Sequence, residues 1–167
     1  MVEWLAMSDR YADLAAADLP LAALFAGWAM ADEVQRRIAA DGMGDLRFAD
    51  GFVFQHLVGG PIAIGELGER MGVTQQAASK AVADLERRGY VERVAGAEDG
   101  RVRHVSLTDR GRAAIGAGRE HRAALEAELG ERLGPRRVEA ARRLLAEAGA
   151  ELGAGAAVRG RRVRPPR

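Results

Sequence analysis

Residues 61–111, PIAIGELGERMGVTQQAASKAVADLERRGYVERVAGAEDGRVRHVSLTDRG, decide the fold. Ile64, Leu67 and Met71 recur at three- and four-residue spacing and so share one face of a short helix. Gly72 ends that helix, because glycine tolerates the left-handed conformation of a tight turn, and Thr74 stands where a second helix needs its N-cap. Over 74–88 the apolar positions Ala78, Val82 and Leu85 form a narrow core stripe. Gln75, Gln76, Ser79, Lys80, Ala83 and Arg87 fall on or beside the opposite face, which is small or polar and uncharged to basic. Such a surface suits a helix entering a major groove. Gly89 closes the helix, strands are expected at 91–95 and 102–107 across the tip 96–100, and Thr108 with Asp109 restarts helix. Helix, turn, helix and charged hairpin in that order make a winged helix-turn-helix.

The local sequence adds a family resemblance. Asp99-Gly100-Arg101, followed by Val105, Leu107-Thr108 and Gly111, is similar to the wing signature of the MarR family of bacterial transcriptional regulators. Residues 66–73 (ELGERMGV) and 84–91 (DLERRGYV) resemble that family too. The likeness is close over about the middle third of the chain and extends to the flanking helices in type and order. It implies a homodimer on a pseudo-palindromic operator in double-stranded DNA, usually as a repressor and often released by a small ligand or an oxidant. Two features depart from the family pattern. Gly100 stands where a second basic residue is frequent, and Ala77, Ala78 and Ala81 leave the recognition helix sparse, which shifts specificity toward DNA shape.

The expected fold is mainly α with a small two- to three-stranded β wing, the winged domain being flanked by N- and C-terminal dimerisation helices. Residues 1–45 carry N-terminal helices, one capped by Asp18 with Pro20 at its start and with Leu21, Leu24, Trp28, Ala31 and Ile38 at helical spacing. Residues 46–111 are the DNA-binding region, opened by a helix over 48–58. Residues 112–152 supply a long helix ended by Gly134-Pro135 and a final helix. In the final helix Val138, Ala141, Leu145, Ala148 and Leu152 alternate three- and four-residue steps, a seam for another helix. Residues 153–167 read as a disordered basic tail with Arg159, Arg161, Arg162, Arg164 and Arg167, either inert in solvent or a nonspecific phosphate arm.

Composition narrows the function classes. A chain of 167 residues, 48% hydrophobic and 29% charged, has the balance of a water-soluble domain. No apolar run reaches the length of a membrane span and no signal-peptide pattern opens the chain, so a cytoplasmic location without membrane partners is expected. Cysteine is absent, which removes disulfides, thiolate metal sites and thiol-based oxidant sensing. Three scattered histidines, His56, His104 and His121, give no metal site, and no cofactor motif or enzyme signature appears. The net charge is only +1, yet Arg87, Arg88, Arg93, Arg101 and Arg103 cluster around the recognition helix and wing.

The expected DNA contacts follow from these placements. Gln75, Gln76, Ser79 and Lys80 meet base edges and phosphates, Thr74 caps the helix beside the backbone, and Arg87 lies on the same face. Arg101 at the hairpin tip suits a narrow minor groove, oriented by Asp99 as in the resembled family, while Arg103 and His104 face phosphate. In that family an effector pocket lies between the winged domain and the dimerisation helices. Phe25, Trp28, Phe48, Phe52, Phe54 and His56 come from the segments that meet there, and read either as the lining of a cleft for a small aromatic or amphiphilic effector or as plain core. The competing function is a winged-helix interaction protein that has lost operator binding and works through a partner regulator.

Overall fold

The computed structural model describes residues 14, 16–95 and 103–154. The wing tip with Asp99 and Arg101, the strand position Val102, the helix expected before Asp18 and residues 155–167 of the basic tail lie outside the described residues.

Helix α1 (Leu19–Ile38) starts as its sequence demands: the Asp18 carboxylate accepts a hydrogen bond from the Leu21 amide at 3.0 Å, and Pro20 sits in the first turn, where its missing N–H costs nothing. Its end widens into a π-turn over Ala39–Met43, and Gln35 reaches on to donate to the Leu46 carbonyl. The chain then makes a 3₁₀ turn at Phe48–Asp50 before α2 (Gly51–Leu57). Sequence spacing suggested one helix over 48–58. The first three residues wind tighter, and the Asp50 carboxylate, accepting from the Arg47 amide at 2.8 Å, closes that turn.

Helices α3 (Ile64–Met71) and α4 (Gln75–Arg87) form the helix-turn-helix. Gly72 has φ 65°, the left-handed value the turn requires, and Val73 N–H donates back to the Gly68 carbonyl at 2.9 Å. The Thr74 hydroxyl accepts from the Ala77 amide at 3.2 Å, as an N-cap does. Strands β1 (Ile62–Ala63), β2 (Val91–Ala95) and β3 (Arg103–Leu107) pair antiparallel in the order β1-β3-β2, with Ile62 opposite Val105 and Val91 opposite Leu107. The two residues of β1 are too few to carry a period-two signal, so only the wing strands were individually readable.

The wing is stitched to the next helix around Thr108, and Arg112 adds a bond to the Leu107 carbonyl. Thr108 donates its amide to the Tyr90 carbonyl and its hydroxyl to the Gly89 carbonyl, while the same hydroxyl accepts from the Gly111 amide and caps α5 (Asp109–Leu133). Gly111 lies so close to the Tyr90 carbonyl that a Cβ there would collide with backbone. Gly134 turns the chain into α6 (Pro135–Glu151), which packs back along α5.

The core is centred on the winged domain: Tyr90, Leu67, Leu85, Val82, Val91 and Val105 are sealed from solvent, and α1 and α5 add Val34, Ile38 and Ala114. The apolar spacing read along α1 and α6 has a different destination. Leu21, Leu24, Trp28, Leu145 and Leu152 are exposed, and α6 buries no residue.

Candidate nucleic-acid interface

Helix α4 presents Gln76, Lys80, Ala83 and Arg87 as one exposed stripe, successive members being four, three and four residues apart. Buried Ala78, Val82 and Leu85 hold the opposite side. Gln75 is exposed and Ser79 half-buried on the flank of the stripe. The first turn of α4 contains no acid, so the positive end of its dipole is unopposed there, next to the Thr74 cap. Among the described residues, Lys80 and Arg103 form no ion pair.

One acid lies beside this surface. Asp84 is surrounded by Arg87, Arg88 and Arg47, the last two at 2.7 and 3.2 Å. Partial burial pushes its pKa up, but the Arg88 hydrogen bonds and the charges of Arg88, Arg47 and Arg87 outweigh that and hold the carboxyl below its ordinary range. Its negative charge is therefore compensated beside the exposed stripe of α4.

The arginine cluster expected from sequence resolves into distinct roles. Arg87 stays exposed while bonding Asp84, and Arg93 pairs with Glu86 at 3.2 Å beside the root of the wing. Arg88 is turned inward onto Asp50 and Asp84, with 9% of its side chain exposed, and so leaves the positive surface. Sequence could suggest the Asp84–Arg88 pair from its four-residue spacing. It could not suggest Asp50, 38 positions away, since only folding brings the two together. A neighbouring set was equally hidden: the Asp45 carboxylate accepts from Tyr90 Oη at 2.6 Å and Arg110 at 2.8 Å. The Tyr90 hydrogen bond, helped by the Arg110 charge against burial, lowers the Asp45 pKa, while burial followed by the bond to Asp45 raises that of Tyr90.

The aromatic candidates divide into groups. Phe25 and Trp28 meet edge to face on α1 with centroids 5.6 Å apart, both exposed. Phe48 and Phe52 do the same across the 3₁₀ turn and α2, also at 5.6 Å. Phe54 meets Tyr90 at a tilt within the core, with centroids 5.8 Å apart, and His56 is buried. Among the described residues no ring contact joins the first two pairs within a single chain. A groove does open elsewhere, between α5 and α6, lined by Ala127, Gly130, Pro135, Val138 and the carboxylates of Glu126, Glu131 and Glu139. No helix among the described residues is long and apolar enough to cross a membrane, and they hold no cluster of three or more metal-ligating side chains.

Two short helices joined by a left-handed glycine turn, a capped second helix and a paired wing define a winged-helix protein. The model of the MarR family matches residues 45–102, from the Asp45 turn into the wing. Among solved structures, the YusO protein of Bacillus subtilis is 26% identical, with 87% of this chain and 96% of that one aligned at a TM-score of 0.61. The Mycobacterium tuberculosis MarR-family protein Rv2887, in complex with salicylic acid, is 27% identical over 80% of this chain and 97% of its own, with a TM-score of 0.55. The transcriptional repressor CouR, bound to a 23-mer DNA duplex, is 25% identical over 79% and 92%, with a TM-score of 0.58. No curated protein matched. Over residues 45–102 the chain matches the MarR family, and its fold is similar to that of the winged-helix regulators of that family.

Proposed function

We propose that this chain binds operator DNA as a homodimer and represses transcription from it, with α4 in the major groove and the wing, through Arg101, in the adjacent minor groove. The observation that carries the reading is the stripe Gln76, Lys80, Ala83, Arg87: exposed, free of uncompensated acid and fixed at its N-terminus by Thr74. Gln75, Ser79 and Arg103 flank it, and Asp99 orients Arg101. The DNA-bound repressor among the structural neighbours supports the same use of the fold. Dimerisation falls to α1, α5 and α6, whose apolar side chains a single chain leaves in water. Pairing would bring together elements that carry Phe25, Trp28, Phe48, Phe52 and His56, and a small aromatic acid suits such a lining; the salicylate complex of a neighbour supports that chemistry.

The test starts from a duplex selected out of a random-sequence pool and titrated against a scrambled duplex at near-physiological salt. Preference for the selected duplex by about a thousandfold is expected, the lower end for specific over nonspecific binding. Lys80→Ala and Arg101→Ala each weaken it with the fold intact, and the duplex placed in a reporter promoter lowers transcription. Equal weak binding to both duplexes overturns the reading and favours action through a partner regulator.

A further inference from the structure

Arg88 follows the last residue of α4, so its side chain registers where the C-terminal end of the reading helix points. Its guanidinium makes five hydrogen bonds. Two run in parallel to the Asp50 carboxylate at 2.7 and 2.9 Å, two go to Asp84 at 2.7 and 3.1 Å, and one goes to the Asp45 carbonyl at 2.9 Å. All five N–H groups of an arginine are thereby used. Asp45 and Asp50 bracket the connection that leaves α1 through the π-turn, and the Asp45 carboxylate also holds Tyr90 at the wing root and Arg110 at the start of α5.

The apolar stripe under α4 is narrow, with an alanine among its three buried members, and apolar contact is non-directional. A planar fork bonded to two carboxylates fixes direction as well as distance. Thirteen residues of helix span about 20 Å, so a tilt of about 10° at the C-terminal anchor displaces Gln75 and Gln76 by about 3.5 Å, close to one base-pair step. We propose that Arg88 and Asp50 are positioning residues for DNA binding: without touching DNA, they lock the tilt of α4 to the segment 45–50 and so set the half-site spacing the dimer accepts. Buried ion pairs add little net stability compared with apolar replacements, so such a fork serves orientation more than folding energy.

The inference rests on the DNA-binding reading above and is tested with the full-length dimer on the selected duplex and on duplexes with half-sites moved closer or apart by one base pair. Arg88→Lys keeps the charge and loses the fork. Asp50→Asn keeps the shape and loses the ion pair. Both are expected to bind the selected duplex about tenfold more weakly, about 1.4 kcal/mol, and to lose most of their discrimination against the respaced duplexes. Lys80→Ala, a contact variant, weakens all spacings alike. If Arg88→Lys does not fold, Asp50→Asn carries the test, since it leaves Asp84 to hold Arg88 within α4 and removes the charge that ties it to segment 45–50. Amide NMR of the free protein gives a second readout, with shifts expected at residues 75–80 in both variants. Wild-type spacing discrimination together with unshifted amides overturns the proposal while the DNA-binding reading stands. A wild-type chain that prefers no duplex overturns both.

Discussion

In the winged domain Leu67, Val82, Leu85 and Tyr90 are sealed from solvent by one chain, whereas on α1 Trp28 keeps 56% of its surface exposed and α6 buries nothing. The two regions are built from similar apolar spacing and differ in what completes them. Three strands and three helices, joined by Val34 and Ile38 of α1 and Ala114 of α5, close over the first region, and no buried side-chain polar atom among the described residues lacks a partner. The helical arm consists of long elements, of which α1 and α6 keep large apolar side chains in water. The winged domain is therefore closed by its own chain, whereas the arm leaves large apolar side chains in water, as the proposed homodimer would require.

The strongest way to break this contrast is to attack the closed core. Leu67→Ala removes a side chain with 0% exposure from beneath the helix-turn-helix and is expected to cost about 3 kcal/mol, read as a lower urea midpoint at every protein concentration. A cost near zero would mean that this region is not closed by its own chain. Trp28→Ser together with Leu145→Glu probes the arm. The pair is expected to weaken self-association by about 2 kcal/mol while far-UV circular dichroism of the dilute protein stays unchanged. Sedimentation at micromolar concentration checks it, and an undisturbed oligomer would take α1 and α6 out of the interface.

The same contrast explains what the sequence made legible. Elements set by local chemistry were readable to within a residue or two: the Thr74 and Thr108 caps, the Gly72 turn, the strand Val91–Ala95, and Asp18 before α1. Each depends on groups three or four positions apart. What remained hidden depends on tertiary approach. Arg88 looked like one more cation of a DNA-facing cluster until the fold brought Asp50 beside it, and β1 exists because β3 passes next to Ile62. The apolar periods of α1 and α6 were visible, but spacing alone does not say whether a stripe meets its own chain or another.

A smaller effect sharpens the reading head. Thr74→Ala deprives the Ala77 amide of its capping oxygen at the end of α4 nearest the proposed DNA. The expected loss is about 1 kcal/mol of stability, with fraying confined to residues 75–78 in hydrogen exchange. Fraying that spreads into β2 would show that α4 and the wing open as one unit, and would join the two readers more tightly than their separate caps suggest.

The smallest expected effect lies in the arm and turns on acid. Glu33 on α1 accepts from Arg36 and Arg37, and Arg37 reaches across to Glu128 on α5 at 2.6 Å, tying the two helices. The hydrogen bonds from Arg36 and then Arg37 hold Glu33 at about 2, against an ordinary 4.5. Because the folded value is the lower one, its stabilising contribution is complete above the ordinary value and fades as pH falls toward 2. An exposed network of this kind contributes little in total, so the expected signal is a slope. In a chain carrying Trp4→Phe and Tyr11→Phe, Trp28 fluorescence reports the arm through α1, and the near-UV bands of Tyr90 report the winged domain. Over pH 4.5 to 2 the Trp28 signal of that chain is expected to lose stability faster than with Glu33→Gln added, with Tyr90 responding equally in both. If Tyr90 follows Trp28, the Arg37 bridge transmits to the winged domain, and the division between a closed head and an open arm is one of burial alone.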